Sequence, residues 1–190
     1  MSVPSTEDLQ TMVDDFNLTH DPTALGHCIP RLLEKSVTSY SSKTALISAD
    51  TELTFDEFNA RANRFARHLV GQGLGRGDLV GVVLNRTVDL VVVLLAVLKS
   101  GAAYIPIDPT LPTERIRQMM DDAGPKLGVA STDTRSALSC WQGSCLSIDE
   151  VQDHPNAESS NLDVDIHPDD LAYVLFTSGS TGRPSVSQTT

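Results

Sequence analysis

The sequence predicts a layered α/β fold with a largely parallel sheet flanked by helices, and three observations lead there. Short runs rich in β-branched residues alternate with segments of helical periodicity, in the repeated order βα. The run LVGVVL, Leu79 to Leu84, carries no polar side chain, the pattern of a strand covered on both faces. The segment from Val88 to Lys99 is apolar nearly all round, so as a helix it must lie between other elements.

Taken in order, Ile29, Leu32, Leu33, Ser36, Val37 and Tyr40 recur at helical spacing behind Pro30, a residue suited to a first helical turn. KTALISADTELTF reads as two strands turning at Ala49-Asp50, with Ala45, Ile47 and Leu53 inward. Thr54 and Glu57 have capping-box spacing and open a helix lined by Phe58, Ala62, Phe65, Leu69 and Val70, with Arg61, Arg64 and Arg67 off that face. Its end, GQGLGRGD, supplies glycines for left-handed conformations. After Val88 to Lys99, Gly101 stops the helix and AAYIPID gives a strand. PTERIRQMMDDAG is a helix with Ile116, Met119, Met120 and Ala123 inward, stopped by Gly124 and Pro125. LGVA and LSI are brief strands.

Composition narrows the function. The 190 residues are enough for one buried core, and 14 Lys+Arg against 25 Asp+Glu give a net charge of -11. Such a charge repels nucleic acid and anionic membrane surfaces, so neither is an expected partner. MSVPSTEDLQTMVDDF lacks the basic start and apolar run of a signal or transit peptide. The longest apolar run, Leu90 to Leu98, is about half of the roughly 20 residues that span a bilayer. A soluble, cytoplasmic protein is expected. Cys28, Cys140 and Cys145 are an odd number without zinc-site spacing and read as free thiols.

From Asp149 to Asp170 the chain carries eight acids and no Lys or Arg, and reads as a solvated connecting loop. The alternative, a divalent-metal site from Asp163, Asp165, Asp169 and Asp170, lacks the ligand register and turn glycine of a calcium loop, so no metal site is expected. LAYVLF then restarts the strand pattern and runs into TSGSTG. Small residues let backbone approach an anion, consecutive N–H groups can form a nest, and hydroxyls add donors without bulk. This is phosphate-binding chemistry without the Gly-Lys-Ser/Thr of a Walker A loop.

TSGSTGRP after LAYVLF resembles the phosphate-loop signature of the adenylate-forming superfamily: acyl-CoA synthetases, luciferases and the adenylation domains of nonribosomal peptide synthetases. LTFDEFNARANRFARHL, Leu53 to Leu69, resembles the first core motif of the peptide-synthetase adenylation domains, and LKSGAAYIPIDPTLPTERI, Leu98 to Ile116, the second. The second motif favours peptide-synthetase adenylation domains over acyl-CoA synthetases. The resemblance divides the chain into a polar N-terminal tail over 1–16, a partial AMP-binding (adenylation) domain over 17–184 that contains the acidic loop 149–170, and a divergent tail over 185–190.

The resemblance implies the N-terminal core of that fold and, for the parent protein, ATP-dependent activation of an amino or other carboxylic acid as an acyl-adenylate for thioester loading in secondary-metabolite biosynthesis. It implies ATP with magnesium as cofactors, and Thr177, Ser178, Gly179, Ser180, Thr181 and Gly182 as the cradle of the β- and γ-phosphates. A larger synthetase or its carrier domain is the implied partner. The other two motifs read as scaffold. The family pattern continues Pro-Lys-Gly, whereas Ser185 stands where the Lys belongs and Val186 where the Gly belongs. An interruption of the reading frame or of the gene model after Pro184 is the expectation, and with it an inactive fragment without catalytic residues. The alternatives are a non-catalytic complementing subunit of a larger synthetase and an acyl-CoA synthetase-like fragment.

Overall fold

The computed structural model describes residues 11, 28–49, 51–152, 158–177 and 185–189. The reading of 1–16 as a polar tail lies, Thr11 aside, outside the described residues. From residue 28 onward the first element is helix α1 (Ile29–Tyr40), in which Pro30 occupies the first turn. An antiparallel hairpin follows, β1 (Thr44–Ser48) and β2 (Thr51–Thr54), then helix α2 (Phe55–Gly71). The remaining elements are β3 (Leu79–Val83), α3 (Val88–Lys99), β4 (Ala103–Ile107), α4 (Thr113–Ala123), β5 (Leu127–Ala130), β6 (Cys145–Ser147), α5 (Ile148–Gln152), β7 (Tyr173–Thr177) and β8 (Ser185–Thr189).

The main sheet has the order β6-β5-β3-β4-β7-β8, with its first five strands parallel and β8 antiparallel to β7. The layered, largely parallel sheet expected from the alternation of elements is therefore observed. One face carries α2 and α3: Phe65, Leu69, Val92 and Val93 pack with Val80, Val82 and Val129 of the sheet. The other carries α4, whose Ile116 and Met120 pack with Val83, Ile105 and Val174. The chain moves from β3 to β4 along one side and from β4 back across β3 to β5 along the other. That reversal makes the carboxyl ends of β3 and β4 a topological switch point, where parallel sheets place their ligand crevices.

Local chemistry accounts for the element ends. Thr54 accepts the Glu57 N–H at 3.2 Å while the Glu57 carboxylate accepts the Thr54 N–H at 2.9 Å, a complete capping box. Gly73 and Gly77 hold φ of 78° and 85° in the turn after α2, and Gly124 closes α4 at φ 62°.

Several sequence expectations are corrected. Ile47 is 79% exposed rather than inward, because the β1–β2 register shifts between Thr44 and Leu46 and turns Leu46 toward the core in its place. Val70, in the last turn of α2, is exposed. The acidic stretch from Asp149 is only partly a solvated loop. It begins within α5, and its described remainder crosses α2, where Asn161 accepts from the Asn59 and Asn63 amides at 2.9 and 3.0 Å and Leu162 is buried. Residues 185–189, read as a divergent tail, form β8. Among the described residues no helix is long and apolar enough to cross a membrane.

Candidate functional site

The expected phosphate loop falls in the sequence between two paired strands, β7 and β8. Thr177 ends β7 and pairs with Ser185, the first residue of β8, so the seven residues between them leave and re-enter at the carboxyl edge of the parallel sheet. Of the six residues expected to cradle phosphate, Thr177 has this described backbone position, and Ser178, Gly179, Ser180, Thr181 and Gly182 lie outside the described residues. The strand that carries the loop is fixed to its neighbour. β7 runs parallel to β4 with Tyr104 opposite Tyr173, and the two rings stack with centroids 5.6 Å apart. Burial, then the Tyr173 phenol, pushes the Tyr104 hydroxyl above its ordinary range, so it stays a neutral packing group.

Beside this edge, at the switch point, a cavity of about 370 Å³ opens between the ends of β3 and β4. Leu84, Asn85 and Arg86 line it from the β3 side, and Ile107, Asp108 and Thr110 from the β4 side. Asp108 precedes Pro109, which favours an extended backbone there. Its carboxylate accepts the Thr110 hydroxyl at 2.7 Å and the Thr110 N–H at 2.9 Å, and its carbonyl accepts the Leu111 N–H at 3.2 Å. Those Thr110 bonds, with a smaller contribution from the Arg86 charge, hold the Asp108 carboxyl below its usual range. The cleft thus carries one fixed carboxylate and one guanidinium. Sequence reasoning assigned no chemistry to Arg86 or Asp108. The signal available was polar residues directly after each of two buried strands, at LNR and IDPT.

Much of the two upstream motifs is helix caps and core, while Asp108 and Thr110 of the second line the cleft. In the first, Thr54 caps α2, and Phe58, Ala62, Phe65 and Leu69 fill the core. In the second, the Lys99 ammonium donates to Glu34 of α1 at 2.6 Å with the lysine side chain 2% exposed, and Gly101 turns the chain into β4 at φ 83°. The four acids considered for a metal are not assembled into one. Asp170 instead accepts from Arg76 at 2.6 Å and from the His167 N–H at 2.8 Å, and the described residues contain no group of three or more His, Cys, Asp or Glu that could hold a metal ion. Cys28, Cys140 and Cys145 are free thiols, and burial pushes the Cys145 thiol up, away from thiolate reactivity. A second cavity, about 270 Å³, opens at the opposite, amino edge of the sheet between Cys28, Leu98, His167 and Tyr173.

A parallel sheet flanked by helices, with a crevice at its switch point, places the chain in the class of layered α/β proteins that bind ligands at the carboxyl ends of their strands. Comparison with known proteins narrows the class: the family described as AMP-binding enzyme matches residues 33–185, and the chain belongs to that family. It is 48% identical over 181 residues to the PKS-NRPS hybrid synthetase acdB of Aspergillus candidus, covering 94% of this chain and 7% of that protein. It is 36% identical over 178 residues to surfactin synthase subunit 2 of Bacillus subtilis (strain 168), covering 94% of this chain and 5% of that one. Among solved structures, the nonribosomal peptide synthetase FmoA3 in its alpha-methyl-L-serine-AMP bound form matches with a TM-score of 0.83 at 26% identity, over 94% of this chain and 20% of its own. VinN in complex with 3-methylaspartate matches with a TM-score of 0.78 at 26% identity, over 86% of this chain and 47% of its own. The chain therefore corresponds to the N-terminal part of a nonribosomal peptide synthetase-type adenylation domain and spans less than a tenth of the two synthetases named.

Proposed function

We propose that the protein to which these residues correspond activates an amino acid, or another carboxylic acid, with ATP as an acyl-adenylate, and passes the acyl group to the thiol of a carrier domain. The observation that carries this reading is the Ser/Thr/Gly sequence that follows Thr177 at the carboxyl end of β7, in a chain of the AMP-binding enzyme family. Thr177 to Gly182 cradle the β- and γ-phosphates through backbone N–H groups and hydroxyls. Magnesium bound with ATP offsets phosphate charge. Positioning and electrostatics are the main sources of catalysis in such a displacement. The cytoplasm, where ATP and carrier-bound thiols coexist, is the compartment this chemistry fits.

The 190-residue polypeptide alone does not complete the reaction on this reading, since more than half of VinN has no counterpart in it. Purified protein is expected to show no amino-acid-dependent ATP–pyrophosphate exchange above background, and exchange above background contradicts this. A second reading, a non-catalytic subunit that complements a larger synthetase, draws on the apolar side chains that α1 and β1 leave exposed, namely Ile29, Leu32, Tyr40 and Ile47. Restored exchange on mixing the chain with a synthetase deleted for the same region supports it, and failure to restore contradicts it.

A further inference from the structure

The cleft at the switch point contains a cation with no hydrogen-bonded partner among the described residues. Six arginines, Arg31, Arg61, Arg67, Arg76, Arg117 and Arg135, are ion-paired to carboxylates, whereas Arg86 donates no hydrogen bond to a described residue and feels Asp108 only through space. It stands three residues beyond β3, in the wall of the 370 Å³ cavity, on the edge from which the loop after Thr177 departs. β3 and β7 flank β4, so their carboxyl ends lie about 10 Å apart at ordinary strand spacing. A long guanidinium side chain shortens that gap.

We propose that the cleft at the ends of β3 and β4 extends the site for the outer phosphates of a polyphosphate ligand, with Arg86 as a further cation that binds them beside the Thr177–Gly182 loop. The inference rests on the adenylation reading and deepens it, since the outer phosphates of ATP are those that leave as pyrophosphate. A guanidinium fork matches phosphate oxygens in pairs. The overall charge of -11 does not decide against it, because at physiological salt charges beyond roughly 8 Å are largely screened and Arg86 acts within that range. Asp108 opposes an anion in the cleft, but the Thr110 hydroxyl and N–H already bind its carboxylate at the β4 wall.

The test uses the full 190-residue chain, titrated with inorganic pyrophosphate while amide NMR shifts are followed, for wild type, Arg86→Gln, Arg86→Lys, Asp108→Asn and Ser180→Ala. The amides of Asn85, Arg86 and Thr110 are expected to shift. Arg86→Gln is expected to weaken binding about tenfold and Arg86→Lys less. Asp108→Asn, which removes the opposing charge, is expected to tighten it. Arg86 is exposed, so its variants stay folded, as an unchanged spectrum elsewhere will show. Equal affinity of Arg86→Gln and wild type, with loss in Ser180→Ala, overturns the Arg86 subsite and leaves the adenylation reading standing. No shift on any amide overturns the subsite as well, and the adenylation reading is then decided separately by exchange in the complemented synthetase.

Discussion

Glu34 and Lys99, 65 residues apart in the chain, meet at 2.6 Å where the lysine is 2% exposed. The pairing is asymmetric. Glu34 also accepts from Arg31 at 3.0 Å, while Glu34 is the one acceptor of the Lys99 ammonium among the described residues. Removing Glu34 therefore strands a buried cation, and Glu34→Leu is expected to cost about 3–5 kcal/mol, Lys99→Met less, and the double replacement least. Urea midpoints of the three variants check the order. Exposed carboxylates make a second residue-scale prediction. Hydrogen bonds from Thr132 hold Asp149 below the ordinary carboxylate range, those from Thr110 do the same for Asp108, and the Thr54 N–H and hydroxyl do so for Glu57. A carboxylate lowered on folding stabilises the fold above its unfolded pKa of about 4 and loses that contribution as pH falls. The urea midpoint is expected to hold from pH 6 to 5 and to drop toward pH 3, modestly, because these groups are solvent-screened. A flat midpoint down to pH 3 contradicts it. The Glu34–Lys99 contact could not be read in advance, since a sequence pattern shows which face is apolar but not which distant charge meets it.

Elements with strong local signals were legible. The Thr54 and Glu57 spacing placed the start of α2, and the period of Ile116, Met119 and Met120 placed the buried face of α4. Thr54→Ala removes the acceptor of the Glu57 N–H and is expected to cost about 1 kcal/mol, read as a lower thermal midpoint with the sheet intact. Where the local rule is interrupted, legibility stops. Alternation alone points Ile47 inward, and the register shift in β1 reverses it. The acidic composition of 149–170 suggested a solvated loop, yet Asn59 and Asn63, about a hundred residues upstream, fasten Asn161 to α2, and Arg67 binds Glu158 and Ser160. Amide-to-amide contacts at such separation leave no periodic trace.

At the scale of the molecule, alternating strands and helices with a doubly covered β3 were enough to specify the parallel sheet, because crossover connections bury both its faces. The place of Thr177 was legible for the same reason: it ends a strand of the parallel sheet, and the carboxyl ends of parallel strands share one edge. The cleft beside it was not, because its walls come from the ends of two strands brought together by a reversal of strand order, far apart in the sequence at Arg86 and Asp108. The central claim is that this edge handles the nucleotide. Hydrogen–deuterium exchange of the chain with and without ATP tests it most directly. Slower exchange is expected in peptides covering 173–189 and 84–86. Protection confined to the amino-edge cavity around Cys28 and His167, or none at the carboxyl edge, would contradict it.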